Sequence, residues 1–312
     1  MELSVVVATL NARDSLADAL SALDDHAPGV EVVVVNGPSS DGTSGLARAH
    51  PAVDVLLELS ERNLNAARNA GISAANGDAV AFVGQDSRIR ESWLDGVRAA
   101  FDAGADAVTG PVHREVSGGV TTESLESATV AGRDVSFFDG GNVAFARDTL
   151  DALDGFDEYL ETGGARDAAH RLAALDRTVR WEPSMVVLRE DHEDVADRVV
   201  SASDESRWGV KYRALGYRLA KNYGVRPGVA FVLAKQAGLD AWTVARDVVS
   251  GEELPSKWVS NGSAVVRGAA DGVRDGTRAR RADTTPRRNP NGVSTRMDRA
   301  VARHDAHEQQ SI

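Results

Sequence analysis

Cysteine is absent from the 312 residues, which excludes a disulfide framework and any thiolate metal site. Lysine is confined to Lys211, Lys221, Lys235 and Lys257, so arginine carries nearly all of the positive charge. No apolar run reaches the roughly 18 residues that a membrane-spanning helix needs. Met1-Glu2-Leu3 opens directly into a strand-like run, with no basic stretch ahead of it, so no secretory signal is read there. A Gly-x-Gly-x-x-Gly fingerprint after the first strand and a Walker loop are both missing. What is abundant is acid: 47 Asp and Glu against 35 Lys and Arg, for a net charge of -12. That balance speaks against a nucleic-acid partner. It suits a protein of a high-salt cytoplasm, although a high-GC genome also trades lysine for arginine.

The most informative stretch is Ala79 to Ser87, Ala-Val-Ala-Phe-Val-Gly-Gln-Asp-Ser. Its apolar run predicts a strand buried on both faces, and the polar cluster then sits at the strand's carboxyl end. Open α/β sheets place their ligands at that end. Asp86 is therefore a candidate functional carboxylate; the alternative is a plain turn. Strands are also predicted over Leu3–Leu10, Val30–Val35, Val53–Leu57 and Ala107–Thr109. Between them lie helical stretches at Ser15–Leu23, Ser44–His50, Asn63–Ala75 and Trp93–Phe101. This alternation predicts βαβ units and a mainly parallel sheet. Farther on, Gly140 to Phe145 enters another strand, Ala168–Leu175 is a helix, and Val179–Val187 reads as one strand. Arg226–Val249 is an interrupted amphipathic helix, and the Arg-, Pro- and Asn-rich chain from Gly272 reads as disordered.

Six pieces, taken in order, resemble the family 2 glycosyltransferases of the GT-A fold. They are Ser4 to Asn11, Val34 to Thr43, Asn63-Leu-Asn-Ala-Ala-Arg68-Asn69-Ala-Gly71 with Ala75 to Asp78, Phe82 to Asp86, Gly155-Phe156-Asp157-Glu158, and Arg166-Asp167. The resemblance implies an α/β fold with a mixed, mainly parallel sheet flanked by helices. It implies a catalytic domain over 1–215, with a nucleotide-sugar half (1–110) and an acceptor half (111–215). A helical extension (216–271) and the disordered tail (272–312) would follow.

The implied reaction moves one sugar, with inversion, from a nucleotide-sugar to an acceptor hydroxyl. The leaving diphosphate needs positive charge, and a hard divalent cation, Mn²⁺ or Mg²⁺, takes oxygen ligands. The family's Asp-x-Asp reads Gly84-Gln85-Asp86 here, so one carboxylate is missing and the metal is expected to bind weakly. The resemblance places Thr9, Asn11, Asn36, Arg68 and Asp86 on the donor, expected to be a UDP-sugar. Asn36 stands where the family usually has an acid and has the groups to bond a base edge. Asp157 and Arg166 fall on the acceptor side, and Asp167 in the place of the general base. Arg166 beside it suits an anionic sugar such as a hexuronic acid. His192 is a further candidate metal ligand. Arg207-Trp208 matches only part of the motif of processive members, so a single addition is expected.

Many members of the family act on lipid-linked acceptors. The amphipathic helix with Trp242, and a tail bearing Arg278, Arg280, Arg281, Arg287 and Arg288, suit peripheral contact with the cytoplasmic face of a membrane. The composition resembles haloarchaeal proteins, which points to N-glycan assembly on dolichol phosphate for surface-layer glycoproteins. The contrary reading is a catalytically degenerate GT-A-like scaffold subunit partnering an active transferase.

Overall fold

Valine alternation gives the first strand two buried faces, and the rest of the sheet forms around it. The computed structural model describes residues 1–116, 119–122, 125–189, 207–249 and 255–306. The first half is β1 (Leu3–Thr9), α1 (Arg13–His26), β2 (Glu31–Asn36), α2 (Thr43–Ala49), β3 (Val55–Leu59), α3 (Leu64–Ala74) and β4 (Ala79–Val83). Next come β5 (Ser87–Ile89), α4 (Trp93–Asp102) and β6 (Ala107–Thr109). Strands β1, β2, β3 and β4 pair in parallel, β1 lying between β2 and β4. Val6, Val33, Val35 and Phe82 pack on the face that carries α3, while Val5, Val7, Val32 and Val34 pack on the face that carries α1 and α4. Both faces are covered, which is why these strands are continuously apolar.

The region after β6 holds strands that the sequence pattern does not announce: β7 (Val112–Val116), β8 (Gly119–Thr122), β9 (Glu126–Val130) and β10 (Arg133–Phe137). Then β11 (Asn142–Ala146) inserts antiparallel between β4 and β6. It leads into α5 (Arg147–Leu153) and α6 (Gly164–Ala174). The predicted single strand Val179–Val187 is two, β12 (Val179–Trp181) and β13 (Val187–Arg189). Proline in Glu182-Pro183 cannot donate to a ladder, and the chain changes sheets there.

The C-terminal third departs from expectation. Helix α7 (Arg207–Tyr223) runs through the expected boundary at 215. After α8 (Pro227–Val249) comes α9 (Pro255–Ala282), which packs along α7. Residues 272–306, expected to be disordered, finish this helix and then return to the sheet. There β14 (Ala300–Asp305) pairs antiparallel with β3 and covers the sheet edge. Residues 255–271 of α9 fall in the expected helical extension; the part from Gly272 on is missed because its contact is made of glycine. Gly268, Gly272 and Gly276 lie one turn apart, and a Cβ on any of them would overlap the backbone of Gly209, Arg213 or Tyr217. The helices approach backbone to backbone, so burial here needs little apolar side chain.

Three of the five tail arginines are likewise occupied within the fold, while Arg278 and Arg281 are exposed. Arg280 donates to the carbonyls of Lys221 and Asn222, Arg288 to those of Arg280 and Asp283, and Arg287 pairs with Asp283 and Asp154. They are not a free basic tail. Among the described residues, no helix is long and apolar enough to cross a membrane.

Candidate active site

A cavity of about 590 Å³ opens over the carboxyl end of β4. Its walls come from the loop after β4, the start of α3, the turn before β11 and the loop leading into α6. It brings together Arg68, Asp86 and Arg166 of the expected residues, and adds Arg114, Glu126, Asp139, Glu161 and Arg189.

Asp86 sits at the mouth, accepting from Ser87 Oγ at 3.2 Å and lying 3.5 Å from Arg189 Nε. The Arg189 guanidinium also grips Asp139 with two bonds, of 2.8 and 2.7 Å. Burial pushes the Asp139 carboxyl up, but Arg189 outweighs it and leaves that carboxyl below its usual range. Arg68 donates to the Gly140 carbonyl at 2.8 Å, over the ring of Phe156. Burial draws its guanidinium down to about 10, so it is still a cation at neutral pH. The Gly140-Gly141 pair makes room for both arginines: a Cβ at Gly140 would press on Arg68, and one at Gly141 on Arg189. Two cations thus converge beside Asp86, as a site for a diphosphate needs.

Gln85 is buried, and its side-chain oxygen accepts from the Leu10 backbone at 2.9 Å, tying the end of β1 to the loop after β4. Thr9 lies in a small annex that shares Ala8, Leu64 and Gln85 with the cavity, and its hydroxyl is buried with no hydrogen-bond partner among the described residues. Asn11, at φ 47°, accepts from the Ser40 backbone and holds the loop after β2. Arg166 lies over the Phe137 ring and pairs with Glu126 at 2.7 Å.

Three expectations are corrected here. Asn36 is fully buried; its amide donates to Ser44 Oγ and its carbonyl accepts from Ser39 Oγ, both at 2.7 Å. It shapes the loop and presents nothing to a base. Asp157 and Asp167 are also fully buried and line none of the cavity. Asp157 accepts from Tyr217, Lys221 and Asn291. Asp167 accepts from Arg171 at 2.7 Å, Lys221 at 2.8 Å and Asn222 at 2.9 Å. Burial opposes its charge, but Lys221 and Arg171 prevail and hold the carboxyl far below the usual range. A carboxylate so held is a poor base and out of reach of an acceptor. His192 lies outside the described residues.

Among the described residues, no three of His, Cys, Asp and Glu cluster as a protein-built metal site requires. Asp86 fits a hard divalent cation as one oxygen ligand, the remaining positions being left to donor phosphates and water. Gly84 adds no ligand, and the Gln85 oxygen is committed to Leu10.

Residues 4–152 match the family model for glycosyl transferase family 2. Over that stretch, a little under half of its length, the chain is similar to the family 2 glycosyltransferases. It is 27% identical over 204 residues to glycosyltransferase AglE of Haloferax volcanii, covering 58% of this chain and 66% of that protein. It is 32% identical over 147 residues to the succinoglycan biosynthesis protein ExoO of Rhizobium meliloti, covering 46% of this chain and 38% of ExoO. It is 25% identical over 214 residues to a pre-mycofactocin glycosyltransferase of Mycobacterium tuberculosis, covering 63% of this chain and 44% of that protein. The chain thus spans from about two fifths to just under two thirds of these relatives. Among solved structures it resembles the mannosyltransferase PcManGT of Pyrobaculum calidifontis, in complex with GDP-Man and Mn²⁺ (TM-score 0.55, 18% identity, covering 88% of this chain and 87% of that one). It also resembles S. aureus TarS 1-349 with UDP-GlcNAc (TM-score 0.59, 16% identity, covering 90% and 91%). These likenesses show the GT-A fold, as the mixed, mainly parallel sheet flanked by helices does.

Proposed function

We propose that this protein is an inverting glycosyltransferase that moves a single sugar from a nucleotide-sugar to a lipid-linked acceptor. The observation that carries the reading is the convergence of Arg68 and Arg189 beside Asp86, at the carboxyl end of β4. In this reading the nucleotide lies toward Thr9 and Asn11, and its diphosphate meets the two guanidinium groups. A divalent cation held through Asp86 would add positive charge to the leaving group. The arginines orient the phosphates and stabilise the negative charge that develops as the sugar departs.

Arg166, stacked on Phe137 in the acceptor-side wall, supports an anionic sugar or acceptor, such as a hexuronic acid. The outer face of α8 supports peripheral membrane contact: Phe231 is 69% exposed, Leu239 54% and Trp242 74%. With the likeness to AglE of a haloarchaeon and the acidic composition, the reading extends to glycan assembly on dolichol phosphate for surface-layer glycoproteins.

The test is a panel of UDP- and GDP-sugars given to the purified full chain in molar KCl with Mn²⁺ or Mg²⁺, scored by nucleotide release with and without a polyprenyl-phosphate acceptor. Acceptor-dependent release from one donor class is expected. No release from any donor contradicts the proposal.

A further inference from the structure

With Asp167 sealed in the interior, the reaction needs another proton acceptor on the cavity wall. We propose that Glu161 is that base. This rests on reading the cavity as a nucleotide-sugar transferase site. The carboxylates lining the cavity are Asp86, Glu126, Asp139 and Glu161. Asp139 is gripped by Arg189 through both oxygens, and Glu126 is gripped in the same way by Arg166, at 3.3 and 2.7 Å. An arginine that bonds both oxygens of a carboxylate occupies the lone pairs with which a base would take a proton. Asp86 stands beside Arg189 on the donor side. Glu161 is exposed to the cavity and makes no hydrogen bond or ion pair with any described residue.

The backbone around Glu161 is firmly placed. The preceding Leu160 is buried, and its carbonyl accepts from Asn65 Nδ2 at 2.7 Å. Downstream, Gly163 takes φ +74°, and Gly164 sits so close to the Asn65 side chain that a Cβ there would overlap it. Asn65 thus bonds one end of the segment and packs against the other, and the exposed Glu161 side chain lines the cavity. Glu161, Arg166 and Phe137 line the same cavity as Asp86 and Arg189.

The step balances as a single displacement. The acceptor oxygen attacks the anomeric carbon and forms the new C–O bond. The bond from that carbon to the diphosphate oxygen breaks, and its electron pair leaves with the nucleoside diphosphate. The hydroxyl proton passes to a Glu161 carboxylate oxygen and is later lost to water. Configuration inverts at the carbon.

The experiment compares wild type, Glu161→Gln and Glu161→Asp, using the full chain, the donor and acceptor found in the panel, and donor binding by calorimetry. Glu161→Gln is expected to lower kcat by about 10²–10⁴-fold while donor Kd changes less than twofold. Its melting temperature should match wild type, since the side chain is exposed. The acid limb of the pH–rate profile should disappear in Glu161→Gln and persist, shifted, in Glu161→Asp. An active wild type with Glu161→Gln retaining more than a tenth of its kcat overturns the assignment and leaves the transferase reading standing. A wild type that turns over no donor overturns both.

Discussion

Lys221 Nζ donates to Asp167 Oδ2 at 2.8 Å with both side chains wholly out of solvent, and the same ammonium donates to Asp157 Oδ2 at 2.5 Å. Arg171 completes the set, bonding Asp167 as well as the carbonyls of Leu153 and Gly155. Two carboxylates thus face two cations, and the cluster joins α6, α7 and the Gly-Phe-Asp-Glu turn. It is buried beneath the segment that carries Glu161.

Breaking this cluster on one side leaves a buried charge unmatched, at a cost of about 3–5 kcal/mol. Lys221→Met leaves Asp157 with no cation and Asp167 with Arg171 alone, and is expected to be worse than Asp167→Asn, which keeps its shape and some hydrogen bonds. Urea denaturation should rank them in that order. Asp167→Asn should still bind donor under conditions where it is folded. A loss of turnover in a fully folded, fully stable Asp167→Asn would restore it as the base.

His170 gives stability a pH dependence. Burial, with Arg218 nearby, lowers this histidine to about 3, and its ring bonds the Tyr223 hydroxyl at 2.7 Å. The unfolded chain takes up a proton near pH 6.5, whereas the folded chain does not until about pH 3. Between those values the unfolded state binds more protons, so stability falls as pH falls, by about 1.4 kcal/mol per unit from this group. Denaturation midpoints at pH 8, 6 and 5 should decline, and His170→Gln should decline less steeply. Equal slopes would contradict the assignment.

The glycine seam predicts sharp intolerance in a helix of otherwise ordinary surface composition. Gly272→Ala puts a methyl against the Arg213 backbone and should cost about 1–3 kcal/mol by forcing α7 and α9 apart. Alanine at Gly262, which has open space around its Cβ position, should stabilise α9 by up to about 1 kcal/mol. Thermal melts of the two variants should move in opposite directions.

Arg189 pairs with Asp86 and Asp139, and in the proposed reading it also meets the donor's phosphates. Arg189→Ala removes one of the two guanidinium groups. It should raise donor Kd by about 10- to 100-fold, the worth of a charge-assisted bond, and make activity more sensitive to EDTA. Calorimetry with and without Mn²⁺ checks both. A variant with unchanged donor affinity would place the phosphates elsewhere.

The strands Ala79–Val83 and Ala107–Thr109 are legible to the residue, because an apolar run bounded by turn residues has few other fates. The same run locates Asp86. Asp167 shows where local pattern ends: an acid in the first turn of a helix reads alike whether it faces a cleft or the interior. What decides is Lys221, on another helix, although Arg171 one turn on is a local sign of a paired acid. Arg189 is carried to Asp139 by β13, a three-residue strand held between β5 and β7, and no short-range signal announces those pairings. The order of residues 272–306 is missed for a different reason: polar composition predicts disorder, but glycine contact and buried groups such as Asn289 and Arg299 hold this segment with few apolar residues.

The central claim is that the cavity beside Asp86 receives a nucleotide-sugar. It is tested most directly by titrating the donor identified in the panel, with Mn²⁺, into wild type and Asp86→Asn. One molecule per chain should bind to wild type, and at least tenfold more weakly to the variant. Equal binding by the two proteins, or none by wild type, would contradict it.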